Sequence, residues 1–189
     1  WEMRLSHDPV HLTKNFAFYT HKTPLLFVMI NLVWLVTGVS EFAARLVGPA
    51  CAIAMVAGTA ALARTFWPRR PRLGARAALI LAGFTVFLIY ASATMFDALL
   101  GLAVLAGVAS LWRIGQGASA LRDWAWFGVA LAFGVYAKGP VILVHLLPLL
   151  LTIRLWAPAP PTFKDAAKGF GFAFALALGL VAFWLIPAL

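Results

Sequence analysis

The sequence predicts an all-α, polytopic transmembrane helical bundle, and three observations predict it. Of the 189 residues, 63% are hydrophobic and only 11% are charged, with a mean hydropathy of +0.94; an ordinary globular domain carries roughly 25% charged residues. The apolar residues fall in seven close-set runs. None of the runs alternates with period two, so helices are the spanning element that satisfies its own backbone in lipid. Disordered, fibrous and disulfide-rich secreted classes are excluded. The single Cys51 cannot form an internal bridge and leaves the redox compartment open.

Residues 1–23 are polar and mixed, holding His7, His11 and His21, an Asp8-Pro9 turn signal and the aromatics Phe16, Phe18 and Tyr19. They read as an external or interfacial loop with short helical pieces. Residues 24–189 form the transmembrane helical domain, with apolar runs near 25–39, 46–66, 77–92, 98–112, 124–137, 141–156 and 170–187. About six to seven helices follow, although a span needs roughly 20 residues, so the first, fifth and sixth runs need their flanks to cross. Small residues such as Ala103 and Gly107 permit close helix packing. Ala157 to Pro161 is a stiff loop.

Fifteen Lys and Arg against six Asp and Glu give a net charge of +9. The cations sit in short connections rather than on one face, the pattern of topology signals and not of nucleic-acid binding. Arg64, Arg69, Arg70, Arg72 and Arg76 mark one connection, Arg113 and Arg122 a second, and Arg154, Lys164 and Lys168 a third. These are expected in the cytoplasm, with Trp67, Trp112, Trp124, Trp126 and Trp156 in the adjoining interface. The links at Ser92–Asp97, Lys138–Pro140 and Ser40–Arg45 then lie outside. A full crossing by residues 25–39 would place His21 and Lys22 in the cytoplasm, so either this short run dips and returns or one assignment is reversed.

Lys22, two residues before Pro24, puts an ammonium beside the free N–H groups of a helix start, which suits phosphate; the plainer reading is a snorkelling lysine. Asp97 is an acidic group at a membrane edge, where function is the default expectation. Thr94 to Asp97 also has the spacing of a capping box. Lys138-Gly139-Pro140 supplies a second cation between two helices, or simply a helix end. His7 and His11 share a spacing of four that would suit a metal, but Pro9 interrupts it and solvated loop histidines explain it as well. His145 reads as a hydrogen-bonded helix contact, and Glu41 with Arg45 as an i, i+4 ion pair. The sequence has no P-loop, dinucleotide fingerprint or nucleophile elbow.

Five segments stand in order: Trp1-Glu-Met3, His21-Lys-Thr-Pro-Leu-Leu-Phe27, Val39-Ser-Glu-Phe-Ala-Ala-Arg-Leu46, Thr94-Met-Phe-Asp97 and Ala137-Lys-Gly-Pro-Val141. Together they resemble lipid-linked-sugar glycosyltransferases of the protein O-mannosyltransferase and aminoarabinose transferase type, multi-helix membrane enzymes of the GT-C architecture. The resemblance implies transfer of a sugar from a polyprenyl-phosphate donor to a glycan, lipid A-like glycolipid or protein acceptor. The reaction is expected at the external face of the cytoplasmic (inner) membrane.

The resemblance further implies that Lys22 lies near the donor phosphate, with His21 and Lys138 as further donor-binding residues, and that Asp97 lines the active-site cavity as the catalytic candidate. The family's principal acids would precede Trp1, so the chain is expected to be a fragment, inactive alone, and Glu2 and Asp8 are not substitutes. Membrane lipids are expected partners and nucleic acid is not. No cofactor is called for, and a divalent metal is left open. The competing class is a transporter or flippase for a lipid or small solute, which should show paired broken helices in two repeats; a purely structural subunit is the third.

Overall fold

The computed structural model describes residues 2–6, 8, 10–15, 17, 18, 22–117 and 120–187. A four-residue helix α1 (Glu2–Leu5) and a two-stranded hairpin, β1 (Thr13–Lys14) with β2 (Ala17–Phe18), precede the helical domain. That domain comprises α2 (Leu25–Thr37), α3 (Glu41–Phe66), α4 (Arg72–Gly83), α5 (Thr85–Ala91), α6 (Phe96–Gly115), α7 (Leu121–Lys138), α8 (Val141–Leu151), α9 (Ile153–Trp156) and α10 (Phe163–Leu185). The all-α membrane architecture is as expected. Val36, Leu155 and Phe183 are each more than 80% exposed, an apolar surface that suits a lipid environment.

The helices outrun the apolar runs because polar caps start them. The Ser40 hydroxyl accepts from the Ala43 N–H at the head of α3, and Thr162 accepts from the Asp165 N–H at the head of α10. The run at 77–92 is two helices, α4 and α5, bent by 74° at Phe84. The run at 141–156 is also divided. Pro148 removes a donor and crowds the turn before it, and α8 ends three residues later, with the Thr152 hydroxyl donating to the Pro148 carbonyl at 2.7 Å.

Contacts fix the helix directions. Gly74 of α4 abuts Arg64 and Ala60, so α4 returns antiparallel to α3. Phe66 packs on Trp112, and Trp112 stacks on Trp156, with ring centroids 4.5 and 6.3 Å apart. Gly169 of α10 meets Trp124 of α7, and Gly128 meets Ala173, so these two helices run parallel. All three Arg-rich connections and their tryptophans therefore share one end of the bundle. There Arg113 Nε approaches the buried Asp123 Oδ1 at 3.1 Å without aiming an N–H at it, an ion pair between the end of α6 and the start of α7.

Among the described residues, three helices are long and apolar enough to cross a membrane, or four if the bent α4–α5 pair is one span. Helix α7, with charges at its ends, and the α8–α9 pair run the length of the bundle beside them: Ile142 packs on Gly134 at one end and Trp156 on Trp112 at the other. The tightest core lies among α6, α7 and α8, where Leu99, Ile114, Phe127, Leu131, Ile142 and Leu146 are fully buried. Gly107 owes its identity to this packing, since a Cβ there would fall 2.4 Å from Leu146 Cδ1.

Helix α2 does not cross. Its N-terminal end is tied to the start of α6 and the end of α7 by Phe27 against Phe96 and by the Thr23 hydroxyl donating to the Ala137 carbonyl. Its C-terminal end is three residues from the start of α3, which packs against the same level through Gly48 on Ala93 and Thr94. Thirteen residues span only about 20 Å against a hydrocarbon core of about 30 Å. Both ends of α2 thus sit at the same end of the bundle, which removes the need for residues 25–39 to make a full crossing.

Candidate functional site

The end of the bundle opposite the arginines gathers the singled-out segments. Asp97 lies in the first turn of α6 and Lys138 is the last residue of α7. Each charge sits where the helix macrodipole favours it, a carboxylate near an N-terminus and an ammonium near a C-terminus. The two side chains form an ion pair, Lys138 Nζ to Asp97 Oδ1, with both about half exposed. Gly139 ends α7 at φ +69°, a conformation that L side chains rarely adopt, and Pro140 begins the next turn.

Lys22 precedes α2 and is exposed, its Nζ lying 5.3 Å from the centroid of the Phe96 ring, a cation–π contact. Phe27 packs edge-on against the same ring at 5.8 Å. The Thr23 hydroxyl donates to Ala137 O at 2.8 Å and so satisfies one of the orphan carbonyls at the end of α7. Lys22, Asp97 and Lys138 thereby share one face. His21 lies outside the described residues, as do His7 and Trp1.

One expectation is corrected here. Thr94 and Asp97 do not form a capping box: the N-cap of α6 is Met95 with no side-chain cap, and the Thr94 hydroxyl donates instead to Arg45 O at 3.4 Å. The pull of Lys138 on the carboxylate and of the α3 backbone on the hydroxyl draws the two apart. Glu41 and Arg45 are paired as expected, 2.5 Å apart and exposed. The Nδ1 of His145 lies 3.0 Å from Val141 O within α8, a helix contact. The described residues hold no group of three His, Cys, Asp or Glu that would suit a metal. In the preceding loop, the His11 and Val10 N–H groups hold the Asp8 carboxyl below its ordinary pKa, and His11 Nδ1 sits 2.8 Å from it.

Phe96 and Thr23 carry roles that sequence reasoning did not assign. The only signal was their place inside quoted segments; that one supports an ammonium and the other caps a helix depends on the approach of α2 to α6 and α7. Met3 also belongs to this end, its Sδ accepting from Asn31 Nδ2 of α2 at 3.2 Å.

A face with two ammonium groups, an aromatic ring and a carboxylate at the edge of an apolar bundle suits an anionic lipid headgroup. The model of the dolichyl-phosphate-mannose-protein mannosyltransferase family matches residues 21–186. The chain belongs to that family. It is an integral membrane glycosyltransferase of the GT-C type, using a polyprenyl-phosphate sugar donor, and the transporter reading left open by composition falls away. The family match covers four of the five segments, all except Trp1-Glu-Met3. No curated protein and no solved structure matches this glycosyltransferase chain.

Proposed function

We propose that the Lys22–Asp97–Lys138 face binds the phosphate end of the donor and passes its sugar to the hydroxyl of a glycan, glycolipid or protein acceptor on the external side of the cytoplasmic membrane. The observation that carries this reading is the meeting of Lys22, Asp97 and Lys138 across three separate elements at the arginine-poor end. In a single displacement, the acceptor oxygen bonds to the anomeric carbon as the bond from that carbon to the phosphate oxygen breaks. The acceptor proton leaves to a carboxylate, and the lipid phosphate carries away the bonding pair.

Lys22 stabilises the departing phosphate, because an ammonium on an aromatic ring keeps its outward N–H groups for the anion. Asp97 holds Lys138 in place and balances its charge at the edge of the cavity. Positive-inside bias supports an arginine-rich end in the cytoplasm and a site outside.

The test is transfer by the full-length protein in membrane vesicles as a function of donor concentration. Lys22→Ala should lose most of the activity, and Lys22→Arg should recover part of it, because a planar fork replaces a point charge. Normal transfer by Lys22→Ala at all donor concentrations would reduce Lys22 to a membrane anchor.

A further inference from the structure

We infer that the groove between the α8–α9 corner and the head of α10 binds an anionic phospholipid of the leaflet at the arginine-rich end, with the lipid phosphate on Arg154 and part of one acyl chain between the helices. Helices α8 and α10 both pack on α7, Ile142 against Gly134 and Ala173 against Gly128. The gap left between them encloses about 180 Å³. Leu147 and Leu151 of α8 form one wall and Phe163, Ala166, Ala167 and Phe170 of α10 the other, and Arg154 is the one charged side chain among the described residues that line it. A pocket that takes up a whole ligand has roughly 300–1,000 Å³, so this groove holds a segment of a chain and leaves the rest outside.

The helix break makes the groove. Helix α8 stops at Leu151 behind Pro148, and α9 begins at Ile153. The Trp156 indole N–H donates back to Leu149 O at 3.0 Å while its ring stacks on Trp112, so the largest side chain of α9 is committed to α6. On the α10 wall, Ala166 and Ala167 are too short to fill the space.

Charge selects the occupant. Arg154 stands among Leu151, Leu155 and Phe163, which are 80%, 85% and 81% exposed; a guanidinium among lipid-facing side chains needs an anion. Among the described residues no carboxylate pairs with Arg154, Lys164 or Lys168. Ten of the fifteen Lys and Arg lie at this end against two acids, Asp123 and Asp165. Both acids are engaged already, Asp123 with Arg113 and Asp165 by the Thr162 hydroxyl, which donates to its Oδ2 at 2.6 Å. At 3.6 residues per turn, Lys164 and Lys168 form the stripe of α10 beside the one that lines the groove, and they add positive charge to its rim.

The neighbouring Trp112 and Trp156 set this level at the membrane interface, where basic pockets between helices hold anionic headgroups. A phospholipid supplies both parts at once, a phosphate that the arginine fork can grip through two hydrogen bonds and a chain for the apolar walls. A zwitterionic lipid brings its own cation, which the rim repels. A snorkelling arginine would account for the charge but not for the groove beside it.

The experiment follows thermal unfolding of the full-length protein in mixed micelles of detergent and phosphatidylcholine as dioleoylphosphatidylglycerol is added. Tm should rise saturably, because a ligand that binds the folded state stabilises it, while equal additions of phosphatidylcholine or of inorganic phosphate give no rise. Arg154→Gln should remove the rise and Arg154→Lys should keep part of it, since the charge stays and the fork is lost. Ala166→Leu leaves every charge in place but fills the groove, and it should shrink the rise as well. A benzoylphenylalanine photocrosslinker in place of Phe170, in the groove, should capture labelled phosphatidylglycerol above its share of the bilayer. The same crosslinker in place of Leu155, beside Arg154 but outside the groove, should only follow that share.

An equal rise with phosphatidylcholine would show that any acyl chain suffices, and a rise with inorganic phosphate alone would show an adventitious ion only; either overturns the inference. So does a full rise in Arg154→Gln or in Ala166→Leu, or equal enrichment at positions 170 and 155. Displacement of the phosphatidylglycerol adduct by a lower concentration of polyprenyl phosphate would overturn it too, in favour of the donor's carrier. The reading of the Lys22–Asp97–Lys138 face, at the other end of the bundle, stands or falls separately.

Discussion

Neutralising Asp97 separates a catalytic face from a structural clasp. The ion pair with Lys138 has side chains 44% and 50% exposed, and an exposed pair is worth only about 0.2–1 kcal/mol. The favourable position of Asp97 at the head of α6 adds about 0.3–1 kcal/mol. Asp97→Asn should therefore cost no more than about 2 kcal/mol of stability, or a few degrees in Tm at roughly 2–4 °C per kcal/mol for a chain of this size. A carboxylate that serves proton transfer or the charge balance of the transition state is worth far more in rate, about 10²–10⁴-fold. The assay pairs donor-dependent transfer in vesicles with thermal unfolding in detergent for Asp97→Asn, Lys138→Ala and the double variant. A fall in kcat/KM of about 10²-fold or more in Asp97→Asn, with Tm nearly held, is expected. Wild-type turnover in Asp97→Asn, accompanied by equal Tm losses in both single variants and no further loss in the double, would refute the reasoning and leave a clasp.

Cysteines introduced as Arg70→Cys and Met95→Cys in a Cys51→Ser background should label from opposite sides of the membrane; labelling of both from outside would reverse the assignment of the arginine-rich end. Gly128→Ala places a Cβ 2.5 Å from the backbone oxygen of Ala173, and since backbone cannot swing aside, thermal unfolding should show a loss of about 1–3 kcal/mol as α7 and α10 are forced apart. The Asp8 carboxyl is held below its ordinary pKa by the His11 and Val10 N–H groups, so its contribution to the turn is complete above the ordinary carboxylate range and is lost as pH falls through the lowered value. Amide-exchange protection at Val10 and His11 should fall with it, and Asp8→Asn should remove that dependence.

Class and periodicity were legible because they are local. Apolar runs with polar ends marked the helices, the arginine clusters marked one end, and the glycine before Pro140 marked the break between α7 and α8. The capping reading of Thr94 failed for the opposite reason: its hydroxyl is claimed by Arg45 O, 49 residues away in sequence, and no local spacing reports such a partner. The 74° bend was equally hidden, since Gly83 and Phe84 interrupt no apolar pattern. Lys22, Asp97 and Lys138 were each singled out in the sequence. That Asp97 pairs with Lys138 while Lys22 stands on Phe96 was not, because it depends on which helices are neighbours and at what height.

Helix α2 determines that height. An apolar segment of 13 residues has two options in a bilayer, to thin the membrane and cross or to stay at one side. Here both ends are stitched to the same end of the bundle. The Thr23 hydroxyl holds the start to the Ala137 carbonyl at 2.8 Å. At the far end Gly38, at φ +74°, turns the chain, and the Trp34 indole N–H donates to Ser40 O at 2.7 Å. Were α2 to cross, Lys22 would lie a membrane thickness from Asp97, and the charged face would hold one cation already matched by a carboxylate. With α2 held back, the described residues place there a matched pair, Lys138 with Asp97, and beside it Lys22, which has an aromatic ring beneath it instead of a carboxylate. On the proposed reading, that surplus positive charge at the mouth of the apolar bundle is matched by the donor's lipid phosphate.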